Sequence, residues 1–179
     1  MKKLLDYIRF AVFVAGVLIG VQIPDFVDQY GNSLNARVSE SANSVSEFQD
    51  DADKYFNGDM NKLVEHYDNK SDPVIISGGE SIGALVSRNQ FLVAAQKRFS
   101  QSAYAAYLHV FVSPVEEIRN DVWNNYTYKV VLNGSAIFIG ILFGFITSGL
   151  FELAILLLGL AIQVFNRKPK TDVKKARSI

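Results

Sequence analysis

At 179 residues the chain has room for one modest domain beside any membrane segments. With 18 basic against 18 acidic side chains, it carries no net charge that would draw it to nucleic acid. The absence of cysteine excludes disulfides, thiolate zinc sites, iron–sulfur clusters and cysteine nucleophiles, and leaves the redox compartment open.

The first apolar stretch covers residues 4–23 and is interrupted by Asp6 and Arg9, leaving about fourteen uncharged residues from Phe10 onward. That length also suits a secretory signal. No small-x-small cleavage site follows it, however, so residues 1–24 are expected to remain as an uncleaved N-terminal transmembrane anchor. Gly16 and Gly20 form a small-xxx-small pair that lets another helix approach closely.

Beyond Pro24 and Asp25, Leu34, Val38, Val45, Phe48, Ala52 and Tyr55 fall at spacings of four and three, with Ser41 filling the missing step. This heptad-like pattern predicts a long helix continuing from the anchor, with Pro24 and Gly31 as kinks and an end near Asn57 and Gly58. Asp59 is placed to cap a short helix over 60–67, and residues 68–79, with Asp72-Pro73 and Gly78-Gly79, read as a loop. Ser77 followed by Glu80 then reads as a capping box opening a helix over 80–112. Its apolar face comprises Ile82, Leu85, Val86, Leu92, Val93, Phe99, Ala103, Ala106, Val110 and Phe111. Two such helices are expected to zip into an antiparallel hairpin. Ser113-Pro114-Val115-Glu116 reads as a second capping box, and Val115, Ile118 and Val122 stripe the helix that it starts. Trp123, Tyr126 and Tyr128 follow, at a position suited to an aromatic belt at the membrane surface.

Residues 79–83 read GESIG and match the short G-x-S-x-G pattern of a serine hydrolase elbow. The alternating strands and helices of that fold are missing, and His109 is the last histidine, so catalysis by Ser81 is rejected. His66 and His109 have no second ligand at a useful helical spacing, so neither a metal nor another cofactor is expected. Sequons at Asn69, Asn125 and Asn133 have meaning only where glycosylation machinery is present.

Residues 136–165 form the longest apolar run, about thirty residues with Glu152 as the one charge, which at 1.5 Å per residue is roughly 45 Å against a hydrocarbon core of about 30 Å. Residues 133–166 therefore read as a second transmembrane helix, tilted or protruding. Ala136, Gly140, Gly144 and Ser148 recur every fourth residue along it, with Glu152 next in the row. Counted inward from the outer ends of the two spans, Arg9 lies at about 21 Å and Glu152 at about 24 Å, which predicts an intramembrane charge pair with Asp6 one turn away.

Basic residues cluster at both ends, in Lys2, Lys3 and Arg9 and again in a tail over 167–179 that is suited to anionic lipid. Residues 25–132 instead hold about fifteen acids against about nine bases, so the positive-inside rule places both termini in the cytoplasm and the middle outside it. The expected fold is an all-α membrane protein with two transmembrane helices flanking an extracytoplasmic helical hairpin or bundle.

The opening LLDYIRFAVFVAGVLIGVQIPDFVDQYG, the later DPVI and ESIGALV, and VWNNYTYKV before the second span resemble an uncharacterised family of small proteobacterial inner-membrane proteins, the domain of unknown function 2937. The resemblance covers nearly the whole chain and implies a bacterial inner-membrane location with residues 25–132 in the periplasm. It brings no catalytic residue or ligand. More loosely, anchor, outer helices and second span look like the sensory half of bacterial chemoreceptors, with only the basic tail in place of the signalling half. The functional expectation is a non-enzymatic scaffold or accessory subunit, a homo-oligomer in contact with membrane lipid and open to an envelope protein partner. The alternatives are a receptor-like binding module for the outer helices and an ion-conducting oligomer using Glu152.

Overall fold

The computed structural model describes residues 2–127 and 133–165, and the described chain is all-helical. Seven helices follow in order: α1 (Lys2–Gly20), α2 (Gln22–Phe56), α3 (Met60–Asp68), α4 (Pro73–Phe99), α5 (Ala103–Val112), α6 (Glu116–Asn124) and α7 (Gly134–Phe165). They form two compact units, one holding α1 and α7 and the other holding residues 24–127 of the described chain. Two helical stretches, those beginning at Lys3 and at Gly134, are long and apolar enough to cross a membrane, with mean hydropathy of 2.0 and 2.3. The basic tail expected over 167–179 lies outside the described residues, as does Tyr128.

The break between α1 and α2 falls at Val21, and Pro24 explains it. Proline has no N–H to offer the Gly20 carbonyl four residues back, so the hydrogen-bond ladder lapses there, although Val21 still donates to the Val17 carbonyl at 3.0 Å. Gly31, expected as a kink, lies inside an unbroken α2. Its bare Cα makes room for the Phe99 ring, whose Cζ would stand 2.7 Å from an added Cβ. α2 ends where expected, with Asn57 and Gly58 at φ of 53° and 81°. Asp59 caps α3 by accepting from the backbone N–H groups of Asn61 and Lys62.

In the second unit α2 and α4 run antiparallel, because ascending positions on one pair with descending positions on the other. Gly31 meets Phe99, Asn35 accepts from Gln96 at 2.8 Å, and Ser41 accepts from Asn89 at 2.9 Å. The core between them holds Phe26, Val27, Tyr30 and Leu34 of α2, Leu92 and Ala95 of α4, Val110 of α5, and Val115, Ile118 and Val122 at the start of and along α6. Arg37 clamps α6 from α2, donating to Glu117 at 2.7 Å and to Asp121 at 3.2 Å, while Arg88 of α4 reaches the same Glu117.

Three expected boundaries are corrected. The loop over 68–79 shrinks to residues 69–72, because Asp72 caps α4 and Pro73 occupies its first turn, a helix start rather than a loop. Ser77 is consequently mid-helix and no capping box forms with Glu80. The single helix over 80–112 divides at Ser100-Gln101-Ser102, where Ser102 caps α5 through the Ala105 N–H. The capping box at Ser113 is also absent. Ser113 closes α5 and α6 begins at Glu116 without a side-chain cap, because the Tyr30 hydroxyl takes the Val115 N–H at 2.9 Å.

The glycine pair inside α4 has a division of labour that yields a test. A Cβ on Gly79 would stand 2.8 Å from Tyr67 Cβ and 2.7 Å from an Asp68 carboxylate oxygen, whereas one on Gly78 meets nothing nearer than 3.7 Å. Gly78→Ala is expected to stabilise by about 0.5–1 kcal/mol through helix propensity, and Gly79→Ala to destabilise by about 1–3 kcal/mol through overpacking against α3. Thermal unfolding followed by circular dichroism separates the two, and equal effects would contradict this account.

Candidate functional site

The features with functional content are the contact of α1 with α7, a buried polar pair, and an aromatic groove. In the first, small residues bring backbone against backbone. A Cβ on Gly16 would stand 3.0 Å from the Gly144 Cα and would collide with the Thr147 hydroxyl, and one on Gly20 would stand 2.8 Å from the Gly140 Cα. A Cβ on Gly144 would meet Val17 Cγ2 at 2.6 Å and the Phe13 carbonyl oxygen at 3.0 Å. Ala136, Gly140 and Gly144 are buried and Ser148 is half-buried, so one face of α7 carries the contact. Phe13 and Phe145 add an edge-to-face ring contact at 5.2 Å. By contrast, Gly149 and Gly159 have open space where a Cβ would go.

The same helices bring Arg9 Nη2 within 3.0 Å of Glu152 Oε1, with Asp6 3.5 Å from the guanidinium on its other side. The Arg9 Nε is buried and has no hydrogen-bond partner among the described residues. Arg9, Glu152, Gly16, Gly20, Gly140 and Gly144 thus belong to one helix pair. Trp123 and Tyr126 lie in the other unit, where both rings pack edge-on against Phe26, at 5.7 and 5.6 Å.

The buried pair is Tyr30 and His109. The Tyr30 hydroxyl accepts the Val115 N–H and lies 3.2 Å from His109 Nε2. The phenol and Nε2 share one hydrogen bond, whose donor is set by the imidazole tautomer. His109 Nδ1 is buried and has no partner among the described residues. Burial, helped by the Arg98 charge, holds the imidazole below its ordinary value of 6.5. Burial likewise pushes the Tyr30 phenol above 10.0, against the opposing pull of its hydrogen bond with Val115. The ring of Phe99 closes the site, 5.8 Å from Tyr30 and 6.1 Å from His109.

The groove, of about 510 Å³, lies among α2, α3 and α4. Tyr55, Phe56, His66 and Tyr67 give it aromatic walls, and Asp51 and Lys70 supply one charge of each sign. The Ser81 hydroxyl donates to the Ser77 carbonyl at 2.9 Å, one turn back along α4. No cluster of three metal-ligating side chains occurs among the described residues.

A family model described as a protein of unknown function, DUF2937, matches residues 4–163. The chain belongs to that family. No curated protein and no solved structure matches it. In this DUF2937 chain, sequence reasoning missed Tyr30 and the groove. Tyr30 carried a usable signal, lying four residues before Leu34 on the same helical face. The groove carried none, because Asp51, Tyr55, His66 and Lys70 converge only through the turn at Asn57-Gly58.

The direction of the His109 shift sets a pH dependence. The unfolded chain takes up the imidazole proton before the folded DUF2937 protein does, so the stability conferred by burying neutral His109 is complete above the ordinary histidine value and is lost as pH falls below it. Lowering pH from about 7.5 to about 5.5 is expected to lower the unfolding temperature, and His109→Gln to flatten that slope. A variant that keeps the full slope would assign it to other groups.

Proposed function

We propose that this chain is a non-enzymatic scaffold or accessory subunit of the bacterial inner membrane that assembles with further copies of itself. In this reading α1 and α7 cross the bilayer as a pair, both termini are cytoplasmic, and residues 25–132 stand in the periplasm. Trp123 and Tyr126 belong to the aromatic belt at the outer surface. The observation that carries the reading is the glycine-lined contact of α1 with α7. Two helices with almost wholly apolar outer faces, clasped backbone to backbone and joined by an ion pair, suit lipid, where close packing and polar contacts drive association. The exposure of the α7 face supports the same environment, since Phe138, Leu150, Leu156 and Leu158 all stand open to the surroundings.

Self-association then uses surfaces other than the row spent within the chain. The open glycines of α7, Gly149 and Gly159, are one such surface and the outer helices are another. The ion-conducting alternative gains nothing from Glu152, whose carboxylate is engaged by Arg9.

The mass of the intact protein in native membrane nanodiscs tests this. A defined homo-oligomer is expected for the wild type. Gly149→Leu is expected to leave thermal stability unchanged and to weaken the assembly, whereas Gly144→Leu is expected to cost about 1–3 kcal/mol by overpacking the intrachain contact. A wild type that stays monomeric at every protein-to-lipid ratio would remove self-association.

The aromatic groove favours a second reading, a binding module for a small aromatic molecule carrying both charges. A saturable rise in unfolding temperature with one member of a panel of aromatic zwitterions, abolished by Tyr55→Ala, would establish it. A panel with no stabilising member would leave the scaffold reading alone.

A further inference from the structure

Helix α5 has two apolar faces, and the chain uses only one. His109 and Val110 are buried with Ala106 and Tyr107 half-buried beside them. On the opposite face Tyr104, Leu108, Phe111 and Val112 are 73%, 43%, 56% and 74% exposed. At 100° per residue these four span about a third of the helix circumference, so they form a continuous stripe. A helix that is apolar all round belongs in apolar surroundings on every side. Trp123, 68% exposed, extends the stripe, because the Phe26 ring lies between it and Phe111, at 5.7 and 6.3 Å.

Chain connectivity indicates what covers this surface. Phe26 follows Ile23, the last α1-side residue of its unit, by only three positions, so at 3.8 Å per step its Cα is tethered within about 11 Å of that of Ile23. Tyr126, whose ring touches Phe26, precedes the start of α7 at Gly134 by only eight positions. Phe26 and Tyr126, which belong to the aromatic cluster, are thus each joined to one of the two apolar segments by a short stretch of sequence. Its composition, one tryptophan with tyrosine, phenylalanine and branched aliphatics, is that of a surface sharing headgroups and acyl chains. Lys97 and Arg98, exposed in the last turn of α4 just before α5, are placed to reach phosphate groups while their stems lie along apolar surface.

We infer that the outer face of α5, with Trp123, is seated in the boundary between headgroups and acyl chains of the bilayer, as an in-plane anchor. The inference rests on reading α1 and α7 as membrane-spanning. It assigns lipid contact to Tyr104, Leu108, Phe111 and Val112, and makes α5 a third attachment point of the outer helices to the membrane.

The chain has no cysteine, so single cysteines can be introduced for spin labels at Leu108 and Val112, with Leu156 on α7 as the bilayer reference and Ser46 on α2 as the water reference. The full-length protein in phosphatidylethanolamine and phosphatidylglycerol vesicles is then probed with oxygen, which concentrates in acyl chains, and a nickel chelate, which stays in water. Labels at Leu108 and Val112 are expected to collide more with oxygen than with the chelate, as at Leu156 but at shallower depth. Labels that behave as at Ser46 would overturn the proposal, and labels shielded from both reagents would overturn it in favour of a protein covering. If Leu156 itself behaves as in water, the spanning reading fails first and takes this one with it. The sole tryptophan gives a second measurement on the unsubstituted chain. Lipid brominated near the headgroup is expected to reduce Trp123 emission about twofold, and unquenched emission would overturn the proposal.

Discussion

The approach of α1 to α7 depends on the absence of four side-chain β carbons. Where two such helices cross a bilayer no hydrophobic force draws them together, since acyl chains are as apolar as leucine, and association then comes from close packing and from polar contacts. Gly16, Gly20, Gly140 and Gly144 supply the first by letting backbone meet backbone, and a Cβ at any of them would enter space already filled by the partner helix. Everything else in that pair follows from the approach. Val17 and Phe13 fill the rim of the contact, Phe145 meets Phe13 edge-on, and Arg9 reaches Glu152 at 3.0 Å.

A different device holds the other unit together. Its seam contains polar rungs, Asn35 with Gln96 and Ser41 with Asn89, at positions where an aliphatic pair would pack as well. Such rungs add little net stability, and only the part-buried Ser41–Asn89 pair penalises a slipped register, because a shift of one turn leaves the Ser41 hydroxyl without Asn89. The Tyr30 hydroxyl does the same for the end of the bundle. By accepting the Val115 N–H and facing His109, it fixes α2 against the end of α5 and the start of α6 with one atom.

Where the sequence was legible, the signal was periodic or stereochemical. The apolar run from residue 136 onward, the Asn57-Gly58 turn, the Asp59 cap and the stripe of Val115, Ile118 and Val122 all appear in the structure, because each follows from local rules of length, φ and spacing. Three of the errors share a cause, which is that glycine and proline read as breakers where tertiary packing puts them to other uses. Gly31 admits the Phe99 ring, Gly79 admits α3, and Pro73 opens a helix instead of ending one. The division at Ser100-Gln101-Ser102 was hidden by the opposite problem, because apolar spacing carried across it with no proline or glycine to mark the break. The positions of Arg9 and Glu152 were reached by counting depth along straight helices, which works only because 1.5 Å per residue holds throughout an apolar segment.

The two uses of a small-residue row exclude each other. A row buried against α1 within the chain is unavailable to a neighbouring copy, and opening it would give up both the backbone contact and the pairing of Arg9 with Glu152. The ion pair therefore acts as a lock on the glycine contact: it sits on the same helix pair and fails whenever the pair opens. Any further contact made by α7 must therefore use its outward side, where Gly149 and Gly159 have open space.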